Sequence, residues 1–170
     1  MVGFLILNGR IYGNDERSDV PKDVQRGWWL YCSKRRKNGE GCGKSYSLLF
    51  YTFIKGFTIQ ANSLWEFLKN IWLGMNKHKA YKLSGVEITY NGIIFLWNKF
   101  IKSQSFIRTM LLKDGQPPEL KTSCPAIQTI HHLKSLFKNA QCPISEFQYR
   151  FQCSFFWLPL TFPPKPDKNI

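Results

Sequence analysis

WWLYCSKRRKNGEGCGKSYS, residues 28–47, sets two aromatic and apolar runs on either side of a basic, glycine-containing segment. Trp28–Cys32 has the aromatic, period-two character of a strand, and Ser45–Phe53 has it again. Together they predict an antiparallel pair joined by the loop 33–43. The two cysteines at the loop's ends, Cys32 and Cys42, are half of the ligand set that a tetrahedral zinc site needs. Four thiolate or imidazole donors must meet about 2.3 Å from the ion in the thiolate case, so two cysteines require partners from elsewhere. His132-x9-Cys142 is the most economical complement, and zinc is then the one cofactor the sequence suggests. The competing readings of these cysteines, ordinary buried thiols or a disulfide, stay open at the sequence level.

Upstream, Phe4–Leu7, Asn8-Gly9 and Arg10–Tyr12 predict a tight hairpin, because Asn-Gly supplies the two positive-φ positions of a type I′ turn. Residues 13–26 carry Asp15, Glu16, Asp19 and Asp23 and read as a polar loop facing away from any nucleic acid. The N-terminal part, 1–58, is therefore expected to be a small antiparallel β module, zinc-ribbon-like but degenerate.

Downstream the apolar period changes to three and four. Leu64, Phe67, Leu68, Ile71 and Trp72 predict a helix over 63–73, with Ser63 or Asn62 as N-cap and Gly74 as its stop. A short helix is expected over 77–83, ended by Ser84-Gly85, and a longer one over 88–106 with Ile94, Trp97, Phe100 and Ile101 on its inner face. Region 59–112 thus has the order of a helix-turn-helix unit. Pro117-Pro118 marks a linker over 113–126, a fourth helix is expected over 127–139, and Pro143 opens a fifth within 127–157. Region 158–170 is a proline-rich tail. The expected class is α+β, a β module followed by a helix-turn-helix-type bundle.

Charge narrows the partners. Lys and Arg number 24 against 11 Asp and Glu, a net charge of +13, and such a field attracts polyanions, duplex DNA foremost. Lys34, Arg35, Arg36, Lys37 and Lys44 of the basic loop are candidate phosphate contacts, as are Lys77, Lys79, Lys82 and Lys99 on the helices. Glu87, Thr89, Tyr90 and Asn91 fall at the start of the third helix, where base edges are read. The opposing reading for each group is a solvated charge run or a helix trio that binds nothing.

Catalysis finds no constellation. The acids are isolated or crowd one loop, and GEGCGKS lacks the spacing of a phosphate-binding loop. The apolar run LLFYTFIKGF is far short of the roughly 18 residues of a spanning helix, and MVGFLILNGRIYGND lacks the basic start of a signal peptide. The chain reads as a soluble, cytoplasmic non-enzyme without a membrane partner.

WWLYCSKRRKNGEGCGKSYS followed by LWEFLKNIWLGMNKHKAYKLSG resembles the zinc-ribbon and helix-turn-helix front end of bacterial insertion-sequence transposases, or short transposon-associated proteins that carry it, over residues 26–110. The resemblance implies element-end DNA as ligand, Cys32 and Cys42 as the second metal-binding tip, and Glu87–Asn91 as the start of the recognition helix. This sequence departs from the pattern in having no cysteine at the first tip and Asn91-Gly92 where a basic residue is usual. A second class of function is a helper subunit docking on a transposase or other larger enzyme through the aromatic C-terminal stretch FQYRFQCSFFWLPLTF.

Overall fold

The computed structural model describes residues 5–14, 23–32, 44–57, 59–120 and 122–156. Three strands come first, β1 (Leu5–Asn14), β2 (Asp23–Cys32) and β3 (Ser45–Leu49), forming an antiparallel sheet in the order β1-β2-β3. Five helices follow: α1 (Ala61–Trp72), α2 (Lys77–Leu83), α3 (Tyr90–Leu111), α4 (Pro125–Leu136) and α5 (Pro143–Phe151). The chain is α+β.

Asn8-Gly9 is not a hairpin turn. β1 runs straight through it and pairs with β2 from Leu5↔Cys32 to Asn14↔Asp23, the register slipping between Leu7 and Gly9. Local turn chemistry loses here to a ladder nearly ten residues long, which recruits the dipeptide as a bulge instead. The predicted loop 13–26 shrinks correspondingly: Gly13, Asn14 and residues 23–26 are strand, and Asp15, Glu16 and Asp19 lie outside the described residues.

Two glycines are fixed by what passes over them. A Cβ on Gly13 would lie 2.0 Å from Arg26 Nε, and one on Gly27 would lie 2.0 Å from the Leu48 carbonyl oxygen. The first opening lets the buried Arg26 side chain cross β1. Its guanidinium lies 5.0 Å from the Phe53 ring centroid and donates to the Phe57 carbonyl at 3.1 Å. The sheet is thereby tied to the segment that leads into the helices.

α1 starts two residues before the predicted position. Gln60 is its cap residue without a side-chain cap bond, and Ser63 is buried inside the helix. α2 matches its predicted span. α3 runs on to Leu111, and its buried face is Ile93, Leu96, Trp97, Phe100, Ser103, Gln104, Ile107 and Leu111. Of the predicted inner face, Trp97 and Phe100 are buried, whereas Ile101 is exposed and Ile94 only partly buried. α4 begins earlier than expected, at Pro125, whose fixed φ suits a first helical position.

One apolar core draws on all five helices, with Phe67, Phe100, Phe147 and Phe155 fully buried. The C-terminal aromatics belong to it. Phe155 stacks on Phe100 at 6.0 Å, and Phe147 meets Phe155 edge-on at 5.5 Å. Gln148 is the polar bolt of this region. Its amide nitrogen donates to the Tyr51 and Phe53 carbonyls at 2.6 and 3.1 Å, and its oxygen accepts from the Phe155 amide at 3.0 Å. Among the described residues no helix is long and apolar enough to cross a membrane.

Gln148→Leu keeps the side-chain bulk and leaves three backbone groups without partners, each costing about 1–3 kcal/mol when buried. Urea unfolding is expected to show a loss of roughly 3 kcal/mol or more. An unchanged midpoint would remove Gln148 from the account of how α5 is held.

Candidate nucleic-acid interface

α2, KHKAYKL, buries only Ala80 and turns Lys77, His78, Lys79 and Lys82 outward. Asn76 starts it, accepting from the Lys79 amide at 2.9 Å, and no acidic residue stands in its first turn. Lys79 and Lys82, three residues apart, share a face. Lys77 reaches back so that its ammonium sits 5.6 Å from the Trp97 ring centroid, a cation on an aromatic face.

The connection to α3 is braced by hydroxyls and rings. Tyr81 donates to the Ile88 carbonyl at 2.9 Å, and the Ser84 hydroxyl donates to the Tyr81 carbonyl at 2.7 Å. The Tyr90 ring meets His78 at 5.4 Å and Tyr81 at 5.5 Å, both edge-on. These contacts fix the first turn of α3 against α2, so the two helices present one surface. The sequence reading did not select His78 and Tyr81. Their signal was the i, i+3 spacing in HKAY, which places both rings on one side of a helix.

The four base-reading candidates separate. Glu87 lies before the helix and is exposed. Thr89 is the N-cap, its hydroxyl accepting from the Gly92 amide at 3.2 Å, so that oxygen serves the backbone. Tyr90 and Asn91 open the helix and are exposed. Lys99 is half-buried, its ammonium 5.7 Å from the Phe95 ring centroid. Lys44 is exposed, and its carbonyl accepts from the Cys32 amide at 3.2 Å, closing the β2–β3 ladder. Lys34, Arg35, Arg36 and Lys37 lie outside the described residues.

Two of the candidate metal ligands, Cys142 and His132, have other partners. Cys32 is buried at the end of β2, and Cys42 lies outside the described residues. The Cys142 sulfur caps α5, accepting from the Ser145 amide at 3.4 Å, and burial pushes its thiol above the usual range. His132 Nε2 lies 3.1 Å from the Gly115 carbonyl, which fixes that nitrogen as the protonated one. Among the described residues no three His, Cys, Asp or Glu side chains gather as ligands would. His132 instead lines a cavity of about 350 Å³ between α3 and α4, with Arg108 and Glu119. Its neighbour His131 stacks on Trp72 at 5.9 Å, and Lys134 covers that same indole at 3.9 Å.

No protein-family model, curated protein or solved structure matches the chain.

Burial lowers the His132 pKa, and the neighbouring His131 lowers it further against the opposing pull of the Gly115 bond. The unfolded chain therefore binds a proton here more readily than the native one, and stability must rise with pH as the medium approaches 6.5 from below. The contribution is complete above the ordinary histidine value and is lost under acid. His132→Gln keeps a donor for Gly115 and removes the titration. Thermal melts between pH 5 and about 6.5 are expected to show a shallower pH slope for this variant than for the parent. Equal slopes would show that His132 does not titrate differently in the two states.

Proposed function

We propose that the chain is a non-catalytic DNA-binding protein that grips duplex DNA with α2 and the first turn of α3 as a helix-turn-helix-type unit. The observation that carries this reading is the exposure of Lys77, Lys79 and Lys82 on a helix that buries only an alanine, within a chain of net charge +13. A helix that contributes so little to the core and so much positive charge to the surface suits a phosphate backbone. The bracing by Tyr81, Ser84 and Tyr90 supports the reading further, because a preorganised surface loses less freedom on binding. Lys77, Lys79 and Lys82 take the phosphates. Asn91 is the base-facing residue, since Asn can pair two-fold with adenine in the major groove. With one such residue and no Arg beside it, binding is largely indifferent to sequence. Descent from a transposase front end rests on the resemblance of residues 26–110 alone.

The helper-subunit reading has less to rest on, because Phe147, Phe155 and Phe156 are buried in the chain's own core.

Replacing Lys77, Lys79 and Lys82 together by Ala tests the proposal. Duplex affinity is expected to fall for every sequence alike, and the slope of log K against log salt to become shallower by roughly three. The double-logarithmic plot from fluorescence anisotropy over 50 to 200 mM salt measures both. An unaltered slope would move the DNA contact away from α2.

A further inference from the structure

The two edges of the sheet are built differently. β1, one edge, slips register twice against β2, between Leu7 and Gly9 and between Ile11 and Tyr12, and carries Arg10. Bulges and charges are the ordinary means by which an edge strand is kept from pairing with another chain. β3, the other edge, pairs with β2 in unbroken register and contains no charged residue, proline or glycine. It has none of those protections.

Two hydrogen bonds fix which way the β3 backbone points. The Phe50 amide donates to the Arg26 carbonyl at 2.8 Å, and the Cys32 amide donates to the Lys44 carbonyl at 3.2 Å. Hydrogen-bonded pairs alternate along an antiparallel ladder, so Tyr46 and Leu48 also turn their backbone groups to β2. Ser45, Ser47 and Leu49 turn theirs outward, to the side where the sheet has no further strand among the described residues. Just past the strand the situation changes, because Gln148 of α5 takes the Tyr51 carbonyl at 2.6 Å. A cavity of about 420 Å³ lies between β3 and the end of α5, lined in part by Ser47, Leu49, Tyr51 and Tyr149.

We infer that β3 pairs antiparallel with β3 of a second copy of the chain, joining two sheets into one of six strands. A two-fold axis at Ser47 sets Ser47 against the partner's Ser47 and Ser45 against the partner's Leu49. Every outward amide and carbonyl of the strand then has a partner. Tyr46 faces the partner's Leu48 in the closer, non-hydrogen-bonded kind of pair, and both side chains are exposed in the single chain, 43% and 53%. Charge selects this occupant. Each copy carries +13, so two copies can meet only where charge is absent, and β3 is such a place. In this register Lys44 stands opposite the partner's Phe50, six strand residues and about 20 Å from the partner's Lys44. An acidic strand from another protein would find no cation in β3 to answer it.

Sedimentation velocity of the full-length protein over a concentration series tests the inference. A monomer–dimer equilibrium is expected for the parent. Ser47 is exposed and its backbone groups face away from β2, so the fold tolerates a charge there. Ser47→Glu and Ser47→Lys are each expected to weaken dimerisation about fivefold or more, because like charges then face each other across the axis. An equimolar mixture of the two variants restores the dimer, since opposite charges then meet. The triple lysine variant of α2 dimerises like the parent, so this inference and the DNA reading fail separately. A parent that stays monomeric throughout overturns the pairing and leaves the edge to a strand of another protein. A dimer that both Ser47 variants leave intact overturns it too. Weakening by both variants without restoration in the mixture would overturn the axis at Ser47.

Discussion

Phe53 is held from two directions, and the placement of the sheet on the helices depends on that grip. Gln148 of α5 binds its carbonyl, and the Arg26 guanidinium of β2 lies over its ring and reaches on to Phe57. A buried amide satisfies three backbone groups at a point where the chain belongs to neither sheet nor helix. Without it the buried Phe53 carbonyl and Phe155 amide would be dry and unbonded. Gly13 serves the same junction, because Arg26 reaches Phe57 only across a residue with no Cβ. The isolated bridge Phe53↔Gln60 then delivers the chain into α1.

That junction leaves two surfaces available. The helices spend their apolar faces on one core, and α2, which adds only Ala80 to it, is left to carry charge. The sheet, attached through one strand's arginine and the segment after β3, exposes side chains on both faces. Lysines on the first surface suit the evenly spaced phosphates of a duplex.

Much of the helical part could be read from the sequence because its signals are local and agree with one another. α2 was bounded at its end by Ser84-Gly85, and α1 was marked by an unbroken three-four stripe. α3 was expected to end at 106 with an inner face read no further than Ile101; Ser103 and Gln104 are buried, so the stripe continues through polar residues to Ile107 and Leu111. Asn8-Gly9 misled for the opposite reason, its turn chemistry being clear and its long-range pairing invisible. The aromatic C-terminal stretch suggested a sticky surface, and only the fold shows Phe155 stacked on Phe100 from a distant helix. His132 gave no sign of its role, since the carbonyl that orients it belongs to Gly115, seventeen residues away. The lysines of α2 were legible as charge; that they share a surface braced by Tyr81 and Tyr90 was not.

The central claim is that duplex DNA lies on α2 and the start of α3. Amide hydrogen exchange of the full chain, measured with and without a saturating duplex, locates the contact without any substitution. Protection confined to residues 76–92, with the α3–α4 cavity around His132 unchanged, is the predicted result. Unaltered exchange over 76–92, or protection centred on α4, would contradict it.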